Sequence, residues 1–446
     1  MKQRLFIGAL VCTLVSPLKA GDYLTNTNQS IQFLRNPSRD ASIGTDGVYY
    51  NPAGTAFLNE GFHFQFNWQT VHQHRDGRVS YGDLFKYNFT APSTETDGSK
   101  VYPGRVNVPI QPSLYGIYNK GAWSFQFGFG IIGGGGSCEF RQGVAAFEAL
   151  VGSKALSTLG KDFGGYSADC YVKGSSFDFG ITLAAARRIS DKLSVSAGLR
   201  AVYAMNNYTG HLTDMKFRMA NGMVIDKSVS PALADLSLDC DQTGFGVAPV
   251  FGIDYRPNKY LNFAAKLEMR THLTVRNDAD NSDSFNELAA RQPSFSGFLN
   301  DAETSIDLPT LLTVGVQVTP IEPLRLNLGY HHYLDTDTRQ WSSDLVGNTN
   351  EVTLGAEYDV CKFLEVSAGM QKTIYDQKDA NISDMSFTLD SYSFGFGVGA
   401  RVSRSIKVNL AYFQTNYTDH TVTTDQSVAT YSRKNAVVGI GVDVEF

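Results

Sequence analysis

The sequence predicts an all-β fold: a 14-stranded antiparallel transmembrane β-barrel with an N-terminal hatch, or plug, inside the lumen. Three observations carry this. Apolar and polar residues alternate with a period of two in stretch after stretch, so each stretch has one greasy and one polar face. The connections sort into short turns and long polar loops in strict succession. The chain closes on an alternating strand, Asn435 to Phe446, whose apolar face, Ala436, Val438, Ile440, Val442, Val444 and Phe446, runs to the last residue.

Residues 1–20 read as a cleaved secretory signal: a basic start at Lys2 and Arg4, an apolar run too short to span a bilayer, and a small residue, Ala20, at the cut. Cys12 follows Val11, where a lipoprotein signal wants Gly or Ala. Residues 21–60 lack sustained alternation and read as the hatch, with turn formers Asn36, Pro37, Gly44, Gly47, Pro52 and Gly54. Residues 61–446 read as the barrel. Phe62, Phe64, Phe66 and Trp68 form the apolar face of the first strand, a weaker strand covers Val106 to Tyr118, and Trp123, Phe125, Phe127, Phe129 and Ile131 form the third. The pattern recurs down the chain. One later face takes in Ile306, Leu308, Leu312, Val314, Val316 and Val318. The total is about fourteen, an even number as single-chain bacterial barrels require.

Short turns fall at NKGAW, RISDKLS, RPNKYLN, TPIEPLR, DVCKFLE and SRSIKVN, and the long connections cover 75–105, 133–171, 209–242 and 277–303. A soluble sandwich or propeller would not sort its connections this way. The physical reason for a closed barrel is backbone satisfaction: an unpaired amide in hydrocarbon costs several kcal/mol, so strands cross a bilayer only in a sheet without edges. Arg200, Lys266, Glu268, Arg270, Arg325, Asn327, His331, Glu357 and Asn409 then fall on the lumen parity, mostly as ion-paired wall.

Without residues 1–20 the chain holds 35 basic and 44 acidic residues, a formal charge of −9, which argues against nucleic acid as a partner. Cys138, Cys170, Cys240 and Cys361 form no CxxC or His-spaced set, so no metal site and no cofactor are expected. Cys138 and Cys170 fall in one expected loop, where a disulfide and two thiols are equally open readings. No GxSxG or HExxH occurs, and GGGGS lacks the Lys of a phosphate loop, so no catalytic residues are assigned.

A barrel of this size has a bore too wide for its wall side chains to fill, which gives the hatch its purpose. Its last turn, Asn51, Pro52, Ala53 and Gly54 within VYYNPAG, is built for close packing: Pro52 sets its own torsion and Asn51 can bridge neighbouring backbone groups. Here the chain resembles the FadL family of outer-membrane transporters for long-chain fatty acids and hydrocarbons. VYYNPAG (Val48 to Gly54) looks like that family's Asn-Pro-Ala hatch motif, and IDLPTLLTVGVQVTP (Ile306 to Pro320) is similar to its Leu-Pro-containing strand. The resemblance covers the mature chain.

It implies a monomer in the outer membrane of a Gram-negative bacterium, in contact with outer-membrane lipids and delivered by the barrel assembly machinery that reads the C-terminal strand. It further implies a passive, non-enzymatic transporter whose partner is a hydrophobic small molecule. The lateral exit would lie at a kink in the third strand, at Gly128, Gly130 and Gly133, although Gly128 and Gly130 equally suit close packing of the hatch. Capture would fall to apolar loop residues, Phe147, Leu150, Val151 and Leu159 in one loop and Phe285, Leu288, Phe295, Phe298 and Leu299 in another. No match to the family's carboxylate-holding basic residues is found. A lipid-acting barrel enzyme, an open porin and an adhesin are the competing readings.

Overall fold

The computed structural model describes residues 25–292, 295–384 and 386–446, so the signal-peptide reading of residues 1–20 lies outside it. Strand β1 spans Gly61–Ser80, β2 Lys100–Lys120, β3 Trp123–Phe140, β4 Phe163–Arg188, β5 Leu193–Met219 and β6 Leu236–Asn258. Strand β7 is in two pieces, Leu261–Glu268 and Thr274–Ala279, and β8 likewise, Glu303–Ser305 and Thr310–Ile321. Strands β9 (Leu324–Leu334), β10 (Thr349–Cys361), β11 (Leu364–Ile374), β12 (Ser391–Arg401), β13 (Ile406–Tyr417) and β14 (Val428–Glu445) complete the sheet.

Every strand pairs antiparallel with its sequence neighbours, and β14 pairs with β1 from His63↔Glu445 to Ser80↔Val428. The sheet is therefore a closed cylinder of 14 strands. Phe446 seals the seam: its N–H donates to the Phe62 carbonyl at 2.9 Å and its carbonyl accepts from the Phe62 N–H at 3.1 Å. The expected greasy belt faces outward, with Phe62, Phe64, Phe66 and Trp68 all exposed, while Arg200, Lys266, Asn327, His331, Glu357 and Asn409 are buried inside.

About ten tilted residues suffice to cross a bilayer. Strands β9 to β13 hold 11 to 13 residues and just do so. Strands β4, β5 and β6 hold 26, 27 and 23, so their outer halves stand clear of the membrane as a high wall. This corrects the loop reading of 133–171 and 209–242. Cys138 lies on β3 and Cys170 on β4, and no disulfide joins the described cysteines. The expected face of Ile306 to Val318 is also split. Leu312 and Val314 face outward, but Ile306 and Leu308 pack into the interior cluster, because both β7 and β8 break here beside Pro309, which has no N–H for a ladder.

Residues 25–58 lie within the cylinder and carry two short helices, α1 (Ile31–Arg35) and α2 (Gly47–Tyr50). Ser30 caps α1, its Oγ accepting from the Phe33 N–H at 3.0 Å. One side of the segment is apolar. Phe33 meets Phe413 with ring centroids 5.6 Å apart, and a side chain at Gly439 or Gly441 would collide with Ile31, so the wall glycines admit the helix. The other side is ionic: Arg35 pairs with Glu365 at 2.7 Å, Arg39 with Asp46 at 2.9 Å and Glu357 at 2.6 Å, and Asp40 with His331 at 2.9 Å. Such buried charges are tolerable only because each is paired.

Candidate transport route

Outside the membrane, helix α3 (Ala145–Leu159) and helix α4 (Asp283–Arg291) lean on the high wall. The buried residues of α3 are mostly small, Ala145, Ala149, Gly152, Ser153 and Ala155, together with Val151 and one carboxylate, Glu148. Glu148 accepts from Asn88 Nδ2 (2.8 Å), Lys100 Nζ (2.6 Å), Tyr102 OH (2.7 Å) and Tyr166 OH (3.3 Å), which fastens the helix to the first loop, β2 and β4. Ser282 caps α4 through the Phe285 N–H.

These helices frame an apolar pocket of about 930 Å³, with Leu150, Val151, Leu156, Phe163, Met215 and Leu288 among its walls. Lys154 and Arg291 also line it. Burial lowers the Lys154 pKa, because the ammonium loses solvation there. A smaller apolar recess adjoins through Leu150, Leu212, Leu236 and Leu288, and includes Phe147, Phe285 and Phe295.

Below lies a second, smaller cavity, inside the cylinder, of about 130 Å³. Residues 25–28 and Phe33 form part of its lining. On one side stand Val71, Val108, Ile131, Phe177 and Val437, and on the other Glu351, Gln371, Thr373, Ser391 and Ser393.

The wall beside this chamber is broken. Strands β2 and β3 pair up to Ser113↔Gly130 and again from Val106↔Cys138, with no ladder between. Local chemistry explains the break. Pro109 and Pro112 cannot donate, and Gly134 and Gly136 hold φ of +91° and +73°, a region that strains L side chains. Toward β4 the strand carries two bulges, on either side of Gly133. Part of the freed polar backbone is satisfied from within: Asn26 N donates to Ile132 O at 2.8 Å, Asn26 Nδ2 to Gly134 O at 3.3 Å, and Gln29 Nε2 to Ile131 O at 2.7 Å. Val108, Gln111, Ile131 and Gly134 to Gly136, the lips of the break, all line the chamber.

No family model matches this sequence, and no curated relative does. The shape does find matches. A Pseudomonas aeruginosa FadL homologue of known structure is 12% identical, with a TM-score of 0.67 over 96% of this chain and 100% of that one. The fold is the FadL fold. The Pseudomonas putida toluene transporter TodX (13% identical, TM-score 0.59, 94% and 99% covered) and the Ralstonia pickettii toluene transporter TbuX (15%, 0.53, 92% and 98%) share it.

On this FadL fold, Asn51 sits at the inner end of the barrel, its Nδ2 donating to Asp254 Oδ2 at 2.6 Å and its Oδ1 accepting from Gly54 N at 3.1 Å. Pro52 O accepts from Gln126 Nε2 (2.8 Å) and Ala53 O from Ser194 Oγ (2.6 Å), so the turn is tied to β3 and β5. Gly128 and Gly130 keep regular pairing, and a side chain on them would strike Val48 and Gln29. Close packing, rather than the kink, accounts for these two; Gly133 alone of the three lies in the break. Of the expected capture residues, Leu150, Val151 and Leu288 line the large pocket and Phe147, Phe285 and Phe295 the recess. Phe298, Leu299 and Leu159 instead pack into the loop cores. Leu84, Tyr87, Phe163, Leu212 and Met215 were not foreseen as pocket walls, since they lie in a loop read as polar or on strand extensions read as loops. The signal that could have found the wall break was the pair of prolines in VNVPIQPS.

Proposed function

We propose that this protein is a passive outer-membrane transporter of hydrophobic compounds, long-chain fatty acids or related apolar molecules. Cargo is captured in the apolar pocket outside, passes to the chamber, and leaves sideways into the membrane between β2 and β3. The single observation that supports this best is the β2–β3 ladder break, whose edges line a chamber floored in part by the N-terminal segment. Residues 25–58 serve as the hatch, and the Asn51 to Gly54 turn anchors them. Burial of cargo drives capture, at roughly 25 cal/mol per Å² of apolar surface removed from water. Lys154 and Arg291 line the outer pocket together with Asp83, Glu287 and Asp425, Arg291 pairing with Glu287 at 3.5 Å, so its polar rim is mixed in charge, and its apolar walls suit a hydrocarbon chain with or without a carboxylate head.

The test is uptake of labelled palmitate and labelled toluene by cells carrying the wild type, Asn51→Ala, or a deletion within Gly133 to Gly136. Reduced uptake in the deletion supports the lateral route, and undiminished uptake in both variants defeats it. Steady ion conductance of the wild type in a planar bilayer would favour an open porin instead.

A further inference from the structure

Between the outer pocket and the chamber stands an apolar septum. Val79, Phe85, Tyr102, Ala429 and Tyr431 from the outer ends of β1, β2 and β14 and the first loop meet Ile382, Phe387 and Leu389 of the β11–β12 connection. Tyr81 and Leu84 pack against this cluster and also line the outer pocket, so one side of the septum is the pocket floor. Helix α3 faces both: Ala145 and Ala149 belong to the septum, Leu150 and Leu156 to the pocket.

Phe387 is the hub. Its ring stacks on Tyr431 at 4.8 Å and 24°, and the Arg75 guanidinium lies 4.6 Å from its centroid. Arg75 in turn reaches toward the wall break, where a Cβ on Gly135 would stand 4.0 Å from its Nη1. Asp384 holds the arrangement. Its Oδ2 accepts from the Ala146 N–H at 2.7 Å, satisfying an amide at the start of α3 that has no partner within the helix, and its Oδ1 accepts from Tyr431 OH at 2.8 Å. One carboxylate thus joins the capture helix, the β11–β12 connection and the aromatic partner of Phe387.

We propose that Phe387 is the gate residue between the two compartments and that Asp384 is the positioning residue that keeps it closed. Cargo seated against α3 strains the Asp384 bridge, the Phe387 ring leaves Tyr431, and the pocket floor opens to the chamber. This rests on the transport reading, yet its test does not require transport.

A thiol placed in the chamber by Ser393→Cys reports access from the outer side, read by mass spectrometry of the labelled peptide after exposure of the purified protein in nanodiscs to a sulfonated, membrane-impermeant maleimide. Ser393 lines the chamber and is 4% exposed, so slow labelling is expected. Adding Phe387→Ala or Asp384→Asn should raise the rate at least fivefold, and Phe387→Trp should not raise it. A heat-sensitive shift in gel mobility verifies that each barrel is folded. Equal rates in the alanine, asparagine and parent proteins would overturn the gate. Accelerated labelling alongside wild-type cells that take up neither palmitate nor toluene would leave the gate standing and sink the transport reading.

Discussion

The cylinder is interrupted twice, and the two interruptions end differently. Between β2 and β3 the ladder opens beside a chamber. Between β6 and β7 it also lapses, from Val250↔Glu268 to Gly244↔Val275, and there apolar side chains pack inward. Both lie beside prolines, and at both the freed backbone finds other partners. At the second break some of those partners are side chains, Asp307 Oδ1 accepting from Leu273 N (2.9 Å), Thr310 Oγ1 from Arg270 N (3.0 Å) and Gln340 Oε1 from Asp307 N (2.9 Å), and others are backbone carbonyls, as for Thr271 N to Leu308 O (3.0 Å) and Ile306 N to Leu273 O (2.8 Å). Leu273, Val275, Ile306 and Leu308 turn inward and fill the space. At the first break Val106, Val108 and Ile132 also turn into the interior cluster, but the run Gly133 to Gly136 beside them adds no side-chain volume. On the proposed transport reading, a missing ladder is not by itself a passage; the side-chain volume beside it matters.

The largest effect expected from this contrast is at Gly134. Gly134→Val would put a branched side chain at φ +91° against the Ser176 carbonyl, so the kink must straighten or shift. Uptake should fall tenfold or more with the barrel still folded; uptake near the wild-type level would break the comparison.

At the sealed break the expected outcome is lost stability with transport intact. Asp307→Ala strips Arg339 of its carboxylate, paired at 2.6 Å, and leaves Leu273 N without an acceptor. The Arg339 side chain is 43% exposed, so water recovers part of the loss and about 2 kcal/mol remains. Urea unfolding in detergent measures it, and a fall in uptake instead would show that this side also conducts cargo.

A few-fold effect is expected at the outer pocket. The lowered pKa of Lys154 means its charge is lost at a lower pH than that of an ordinary lysine. Affinity for a long-chain carboxylate, already ionised, should weaken as pH rises through that value, while affinity for a matched alkane stays level. In Lys154→Met the pH dependence should vanish, as titration calorimetry can show.

The smallest effect concerns the outer lip of the open break, where Pro109 O accepts from Trp68 Nε1 at 3.2 Å and Thr70 Oγ1 at 3.0 Å. Thr70→Val removes one of these bonds and should destabilise by about 0.5–1 kcal/mol, raising hydrogen exchange at the lips of the break before it changes global unfolding.

Much of the molecule is local in origin and so was legible. Side-chain parity follows from the pleat alone, which is why Phe62 to Trp68 could be placed on the lipid face and Arg200 or Glu357 inside. The even strand number, the seam at Phe446 and the compact Asn51 to Gly54 turn follow from the same short-range rules. What only the tertiary structure decided is non-local. Strand length beyond the membrane depends on a partner to pair with, so the outer halves of β4 to β6 looked like loops, and Leu212 and Met215 were lost to the pocket. Ile306 and Leu308 obey the alternation of their own segment, yet they turn inward because Asp307 and Pro309 end the ladder and a space inside accepts them. The glycines of β3 are equally readable as packing or as a kink until Asn26 and Gln29, a hundred residues earlier, are seen to take up the carbonyls of Ile131, Ile132 and Gly134. Periodicity records which way a residue points; only the partner it meets determines whether that position is wall, plug or passage.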